Sequence, residues 1–186
     1  GLLTFNAAGA STQSGVVSGS GGLTKSGTGA LTLSGANTYT GATTVSNGTL
    51  VADNNTALGT TAGTTTVASG ATLAVQGGRT LAEALTIAGN GAGGTAGAVR
   101  NISGNNTLTG VVTLGAGGAR INSDAGLLTL SGANITGATQ LLTVGGAGNT
   151  TISKVIATTT GTLTKDGAGT LSLAGANTYT GATNVN

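Results

Sequence analysis

The feature that most constrains this chain is that it repeats itself. Residues 23–45 read LTKSGTGALTLSGANTYTGATTV and residues 163–185 read LTKDGAGTLSLAGANTYTGATNV, an offset of 140 residues with no gap. Shorter copies of the central piece lie between them: SGNNTLTG at 103–110, running on to Leu114, and SGANITG at 131–137. A chain with such self-similarity stacks like on like, so a solenoid is the first architecture to weigh. The Asn of the four copies falls at Asn37, Asn106, Asn134 and Asn177. The spacings of 69, 28 and 43 correspond to three, one and two turns of a coil of roughly 20–28 residues. No strict period fits, so loop length must vary from coil to coil.

Each unit has the same grammar. Leu31-Thr32-Leu33 alternates apolar and polar residues, as a strand with one buried face does. Ser-Gly-Ala-Asn follows. Here Gly35, Gly104, Gly132 and Gly175, with the four Asn residues, supply turn chemistry, since Gly and Asn tolerate positive φ. A second run such as Thr43-Thr44-Val45 comes next, and then Asn47-Gly48 turns the chain again. Further short strands are expected at Val67, Leu73 to Val75, Leu85 to Ile87, Val111 to Leu114, Leu128 to Leu130, Leu141 to Val144 and Ile152 to Ile156. The segment 80–84 has better helix formers, but it is short and follows Gly-Gly. The alternating aliphatics Leu31, Leu33, Val45, Leu73, Val75, Leu128, Leu130, Leu171 and Leu173 are the expected core, and Thr32 is expected to face outward.

Composition narrows the architecture. The aromatics are Phe5, Tyr39 and Tyr179, and only 5% of residues are charged, so an ordinary thick globular core cannot be built. A thin core of Leu, Val, Ile and Ala can. Glycine, at 37 residues, would also suit disorder, but the chain has no Pro, few charges and 38% hydrophobic residues set in alternating runs. A leucine-rich repeat would need a fixed Leu/Asn pattern that is missing, and a β-sandwich usually carries larger side chains in its core. The expected fold is therefore all-β: a parallel β-helix of roughly eight coils, a rod of about 40 Å at the usual strand spacing. Residues 1–186 form a single solenoid segment with internal repeats at 23–45, 103–114, 131–137 and 163–185.

The repeat strings carry a family resemblance. GTLTKDGAGTLSLAGANTYTGATNV at 161–185 and the stretch 22–50 resemble the autotransporter-associated (passenger-associated) β-strand repeat of type V secreted proteins. Residues 81–114 and 121–137 resemble the coils found between such repeats. The resemblance implies a right-handed β-helix standing on a Gram-negative cell surface after passage through an outer-membrane barrel. It implies roles in adhesion, aggregation or biofilm formation, with the repeat region acting mostly as a stalk.

Most catalytic chemistry lacks its parts. There is no His and no Cys, so neither a Ser–His–Asp nor a Cys–His nucleophile can be assembled, nor a zinc site built on those residues. The carboxylates are Asp53, Glu83, Asp124 and Asp166, far apart in sequence. Calcium-binding solenoids use G-G-x-G-x-D repeats. Gly21-Gly22, Gly77-Gly78, Gly93-Gly94 and Gly117-Gly118 lack the Asp, and the Gly-rich stretch 89–97 has no helix behind it to cradle phosphate. No enzyme activity, cofactor or metal is expected. Lys25, Arg79, Arg100, Arg120, Lys154 and Lys165 are scattered, which does not suit nucleic acid. No stretch suits membrane insertion. The chain starts at Gly1 without Met and reads as a segment of a longer protein, extracellular or on the cell surface.

A few residues stand out within that frame. Tyr39 and Tyr179 occupy equivalent places; they are the candidate contact aromatics, weighed against simple packing on the neighbouring coil. Lys25 and Lys165, also equivalent, are expected to be solvated, and Arg79 to pair with Glu83. The six N-x-S/T sequons fit the high Asn and Thr content and carry no weight.

Two functions follow from this. The chain is a stalk or fibre segment of a surface adhesin, or a binding face for glycan or, through ranked Thr side chains as at Thr162 to Thr164, for ice. The irregular spacing argues against an aligned Thr rank. The ends bear on partners. Neither carries a Pro, a charge cluster or a helix to protect exposed strand edges. Joining GATNVN at 181–186 to GLLTFN at 1–6 reproduces GATTVSNGTLVADN at 41–54 with a shorter turn, Leu3 taking the place of Leu50. The expected partner is therefore a second copy, head to tail, with contact to a host or neighbouring-cell surface as a further expectation.

Overall fold

A computed structural model describes all 186 residues and shows a three-sided β-solenoid of about eight turns, with all strand pairing parallel between successive coils. The first face is the ladder Leu3–Phe5, Leu23–Lys25, Thr43–Val45, Thr64–Val67, Ala84–Gly89, the start of Val112–Ser123, Ile135–Thr136 and Ile156–Ala157. The second face runs from Ser11–Gln13 through Ala30–Leu33, Thr49–Ala52, Thr72–Gln76, Val99–Ser103, the end of Val112–Ser123, Leu142–Gly145 and Leu163–Lys165 to Thr183–Val185. The third face is strand-free in the first coils. It then holds Thr80–Leu81, Asn105–Leu108, Leu127–Leu130, Asn149–Ile152 and Leu171–Leu173. Because the long strand Val112–Ser123 bends from the first face to the second, those two faces form one 16-stranded sheet.

The core lies where the alternation places it. Leu31, Leu50, Leu73, Val99, Ile121 and Val144 stack in register inside the second face, and all are fully buried. Of the expected core residues, Leu31, Leu33, Val45, Leu73, Val75, Leu128 and Leu130 are buried. Leu171 is only half-buried and Leu173 is 37% exposed, although the pattern of their strand is the same. They sit on the last coil, with nothing above them. The run 152–156 is not one strand: a turn divides Asn149–Ile152 from Ile156–Ala157 and carries the chain around a corner. Residues 80–84 are no helix but a short strand and a corner. The single helical turn in the chain is Ala92–Gly94, an insertion within the longest coil.

Successive partners on the first face, Leu23, Thr43, Thr65, Leu85, Val112, Ile135 and Ile156, define coils of 20 to 27 residues. The loops absorb the difference and the strands do not, as the irregular spacings required. The phase of the repeats differs from a whole number of turns, however. Leu23–Lys25 lies on the first face and the matching Leu163–Lys165 on the second. The 140-residue offset therefore spans six turns and one further side. The extra side enters between Asn106, within a third-face strand, and Asn134, at the corner after that face. A repeat thus keeps its own strand–turn–strand geometry while sitting on different sides of the rod.

Candidate functional site

Outward positions on the first face form an unbroken rank. Thr4, Thr24, Thr44, Thr66, Thr86, Thr113 and Thr136 pair with one another coil after coil, and none is buried. The third face carries a second rank: Thr80, Thr107, Thr129, Thr151 and then Ser172. Within the ranks one pair of hydroxyls bonds directly, Thr113 with Thr136 at 3.2 Å. This corrects the expectation that irregular spacing would break such ranks. Parallel pairing fixes each Thr above the last at about 4.8 Å, whatever the loop length.

The turn Asn residues divide into two kinds. Asn37 is buried and stitches three coils: its Oδ1 accepts from the Val17 N–H at 2.9 Å and its Nδ2 donates to the Ala57 carbonyl at 2.7 Å. Asn177 repeats the downward half, accepting from Ile156 N–H at 2.9 Å. Asn106 instead lies in a strand, accepting from Arg79 N–H at 2.6 Å and donating to Asn101 Oδ1 and the Ser103 carbonyl. Asn134 is exposed and accepts from Val155 N–H of the coil above. The glycines of the motif permit close stacking. A Cβ at Gly35, Gly132 or Gly175 would collide with the carbonyl of the coil beneath, while Gly104 holds a φ of 81° at a corner.

Tyr39 is not a contact residue. It is 1% exposed, and its hydroxyl lies 2.6 Å from the Thr43 hydroxyl inside the rod. Burial pushes its pKa up to about 12; the Thr43 hydrogen bond opposes the shift and the Glu83 charge adds to it. Tyr179 makes the same bond to Thr183, at 2.8 Å, but is half-exposed on the last coil. Lys25 is likewise no solvated charge. It is buried on the first face, its Nζ donating to the carbonyls of Gly27 and, in the coil above, Asn47. Burial lowers its pKa. Lys165 bonds carbonyls of its own turn alone, Asp166 at 2.5 Å and Gly167, the counterpart of Gly27, at 2.7 Å.

The charged residues meet across coils in ways that sequence distance concealed. Arg79 pairs with Asp53 at 3.1 Å, not with Glu83. Arg100 pairs with Asp124. Arg120 grips Asp166 with two bonds of 2.7 Å, reaching across Gly145, whose missing Cβ would strike both side chains. Asn122 links the last two pairs, accepting from Arg120 at 3.1 Å and donating to Asp124 at 2.7 Å. Arg120 holds the Asp166 carboxyl below its ordinary pKa. Glu83 stands apart: it is buried, one carboxylate oxygen has no hydrogen-bond partner, and burial raises its pKa. A buried, unpaired carboxylate favours its neutral form. Every Asp is thus held by an Arg. No group of three metal-ligating side chains occurs.

The family comparison agrees with the repeat as drawn from the residues. Residues 23–52 and 163–186 match the passenger-associated-transport-repeat, a repeat typical of autotransporter passenger domains. No curated protein and no solved structure matches the chain.

Proposed function

We propose that this chain, carrying two passenger-associated-transport-repeats within one solenoid, is a non-catalytic stalk or fibre segment of an autotransporter passenger, held outside the bacterial cell. The observation that supports this reading is the use to which the reactive side chains are put. Lys25, Asn37 and the pairs of Arg79 and Arg100 tie neighbouring coils together, and Arg120 with Asp166 ties coils on either side of Gly145. Groups committed to such bonds serve the continuity of the rod. In a surface adhesin the rod would hold an adhesive or aggregating segment away from the membrane. Antibody raised against the chain should label intact cells of the source organism; labelling only after permeabilisation would overturn the reading. The purified chain should image as a rod of about 40 Å.

A second reading is favoured by one observation, the seven-residue Thr rank on the first face. An uncharged rank of hydroxyls at a fixed interval suits a periodic ligand such as ice or a crystalline glycan. Thermal hysteresis and pull-down on insoluble polysaccharide test it. Activity in either assay that is lost on replacing Thr44, Thr66 and Thr86 with Val would move the function from stalk to binding face.

A further inference from the structure

Lys25 is a buried cation without an anion. It is 1% exposed, its Nζ donates to the Gly27 and Asn47 carbonyls, and no ion pair includes it. The carbonyl that it caps in the coil above, at 3.3 Å, belongs to the Asn47-Gly48 turn. Within that turn the Gly48 N–H makes no main-chain bond and donates to the side-chain Oδ1 of Asn47 at 2.8 Å. Gly48 is buried at a φ of 66°, and a Cβ on it would strike the carbonyls of Gly27, Thr28 and Gly29. Asn47 is exposed. A fixed main-chain nitrogen thus lies against a side-chain amide that is free to turn, and a cation sits on the carbonyl between them.

We propose that Asn47-Gly48 is a self-deamidation site, promoted by Lys25, whose product is a carboxylate that pairs with Lys25. The Gly48 nitrogen gives its proton to hydroxide from solvent and its electron pair attacks Asn47 Cγ. The N–Cγ bond forms, the Cγ–Nδ2 bond breaks, and the amide nitrogen takes a proton from water and leaves as ammonia. A five-membered succinimide remains. Water then opens it at either carbonyl, which leaves an aspartate at position 47 or its β-linked isomer. The sum is one water consumed and one ammonia released, with no change of oxidation state. As the Gly48 nitrogen ionises, its charge spreads onto the Asn47 carbonyl oxygen, the atom that Lys25 caps. A donor already aimed at developing charge, in a site with little water, stabilises it without having to reorganise.

The chain contains its own contrast. Asn90 is also exposed and precedes a buried glycine, Gly91, whose N–H likewise makes no main-chain bond. Its carbonyl, however, accepts from the neutral Gly97 N–H at 2.8 Å, and no cation bonds it. Ionisation of the Gly91 nitrogen therefore lacks the help given to Gly48. The product differs as well. A carboxylate in the 47–48 turn gives the buried Lys25 ammonium the partner it lacks, and hydrogen bonds between opposite charges are stronger than those to a neutral carbonyl. Deamidation at this turn strengthens the tie between two coils.

The site does not depend on the stalk reading, and its test needs only the purified chain at neutral pH and physiological temperature. Mass spectrometry of its peptides follows amide loss at positions 47 and 90 in the folded chain, the denatured chain and folded Lys25→Met. Loss at position 47 should be several-fold faster folded than denatured. Lys25→Met should slow it several-fold and leave position 90 unchanged. Equal or slower loss in the folded chain overturns the site. An unchanged rate at position 47 in Lys25→Met, with its β spectrum retained in circular dichroism, overturns the part given to Lys25. Should Lys25→Met fail to fold, Asn47→Asp decides that part, since it installs the product directly. It should unfold at a higher denaturant concentration than the parent chain, and no gain would overturn the pairing with Lys25.

Discussion

Residues 23–45 and 163–185 are nearly the same sequence in two environments, and the difference between them shows where a solenoid's stability resides. Leu31 and Leu33 are 1% and 0% exposed; Leu173, which matches Leu33, is 37% exposed. Tyr39 is sealed and Tyr179 is not, though both make the same bond to a Thr four residues on. Lys25 reaches two coils and Lys165 only one. A residue's burial is set mostly by the coils stacked against it, above and below, and only partly by its own strand: Leu3, covered by Leu23 on one side only, is 39% exposed. Stability is accordingly a sum of nearest-neighbour interfaces, and the last coil lacks one.

That comparison can be broken most sharply with a charge. Leu33→Asp should prevent folding, because an unpaired charge in a dry core costs several kcal/mol or more. The matching Leu173→Asp should keep the β spectrum, as should Thr32→Asp beside Leu33, on the outer side. Unfolding by Leu173→Asp would mean that the end coil matters as much as an inner one. Next in size, Tyr39→Ala should cost about 3–5 kcal/mol in chemical denaturation, the usual range for a large aromatic in a core. Tyr179→Ala should cost less than half as much. Equal losses would remove the role assigned to the coil above.

A smaller effect separates the two turn residues. Asn37→Ala strands the Val17 N–H and the Ala57 carbonyl, each unpaired buried group costing about 1–3 kcal/mol. Asn177→Ala strands only the Ile156 N–H and should lower stability by about half as much.

The smallest effect is read from pH. Glu83 has a raised pKa in the fold, so the unfolded chain gives up its proton first, and stability should fall as pH rises above the ordinary carboxylate range. Asp166 has a lowered pKa, so its contribution is complete above that range and is lost as pH falls through it. Stability should therefore peak in mild acid. Glu83→Gln should flatten the decline above the peak and leave the acid side unchanged, measured by thermal unfolding from acid to neutral pH. An unchanged neutral limb would show that the Glu83 carboxyl finds a partner when ionised.

The solenoid class, the coil length, about eight turns and most of the core were legible because they follow from local rules. Alternation tells which side of a strand faces in, and Gly/Asn pairs tell where it turns. Lys25 was misread because a lone Lys beside a turn usually faces water; its capping of carbonyls in two coils depends on atoms 2 and 22 residues away. The sequence offers Glu83, four residues on, as the partner of Arg79. The rod placed Asp53 beside it, one coil below.

By itself, then, the sequence determined the strands, the turns and their parallel stacking, since each depends on neighbours along the chain and on a repeat that stacks like on like. Only the tertiary structure decided which side of the rod each repeat occupies, which charges meet and whether the Thr residues align. Those relations depend on loop lengths summed over whole coils. One side gained in the middle of the chain moves the second repeat to a different face without changing a residue in it.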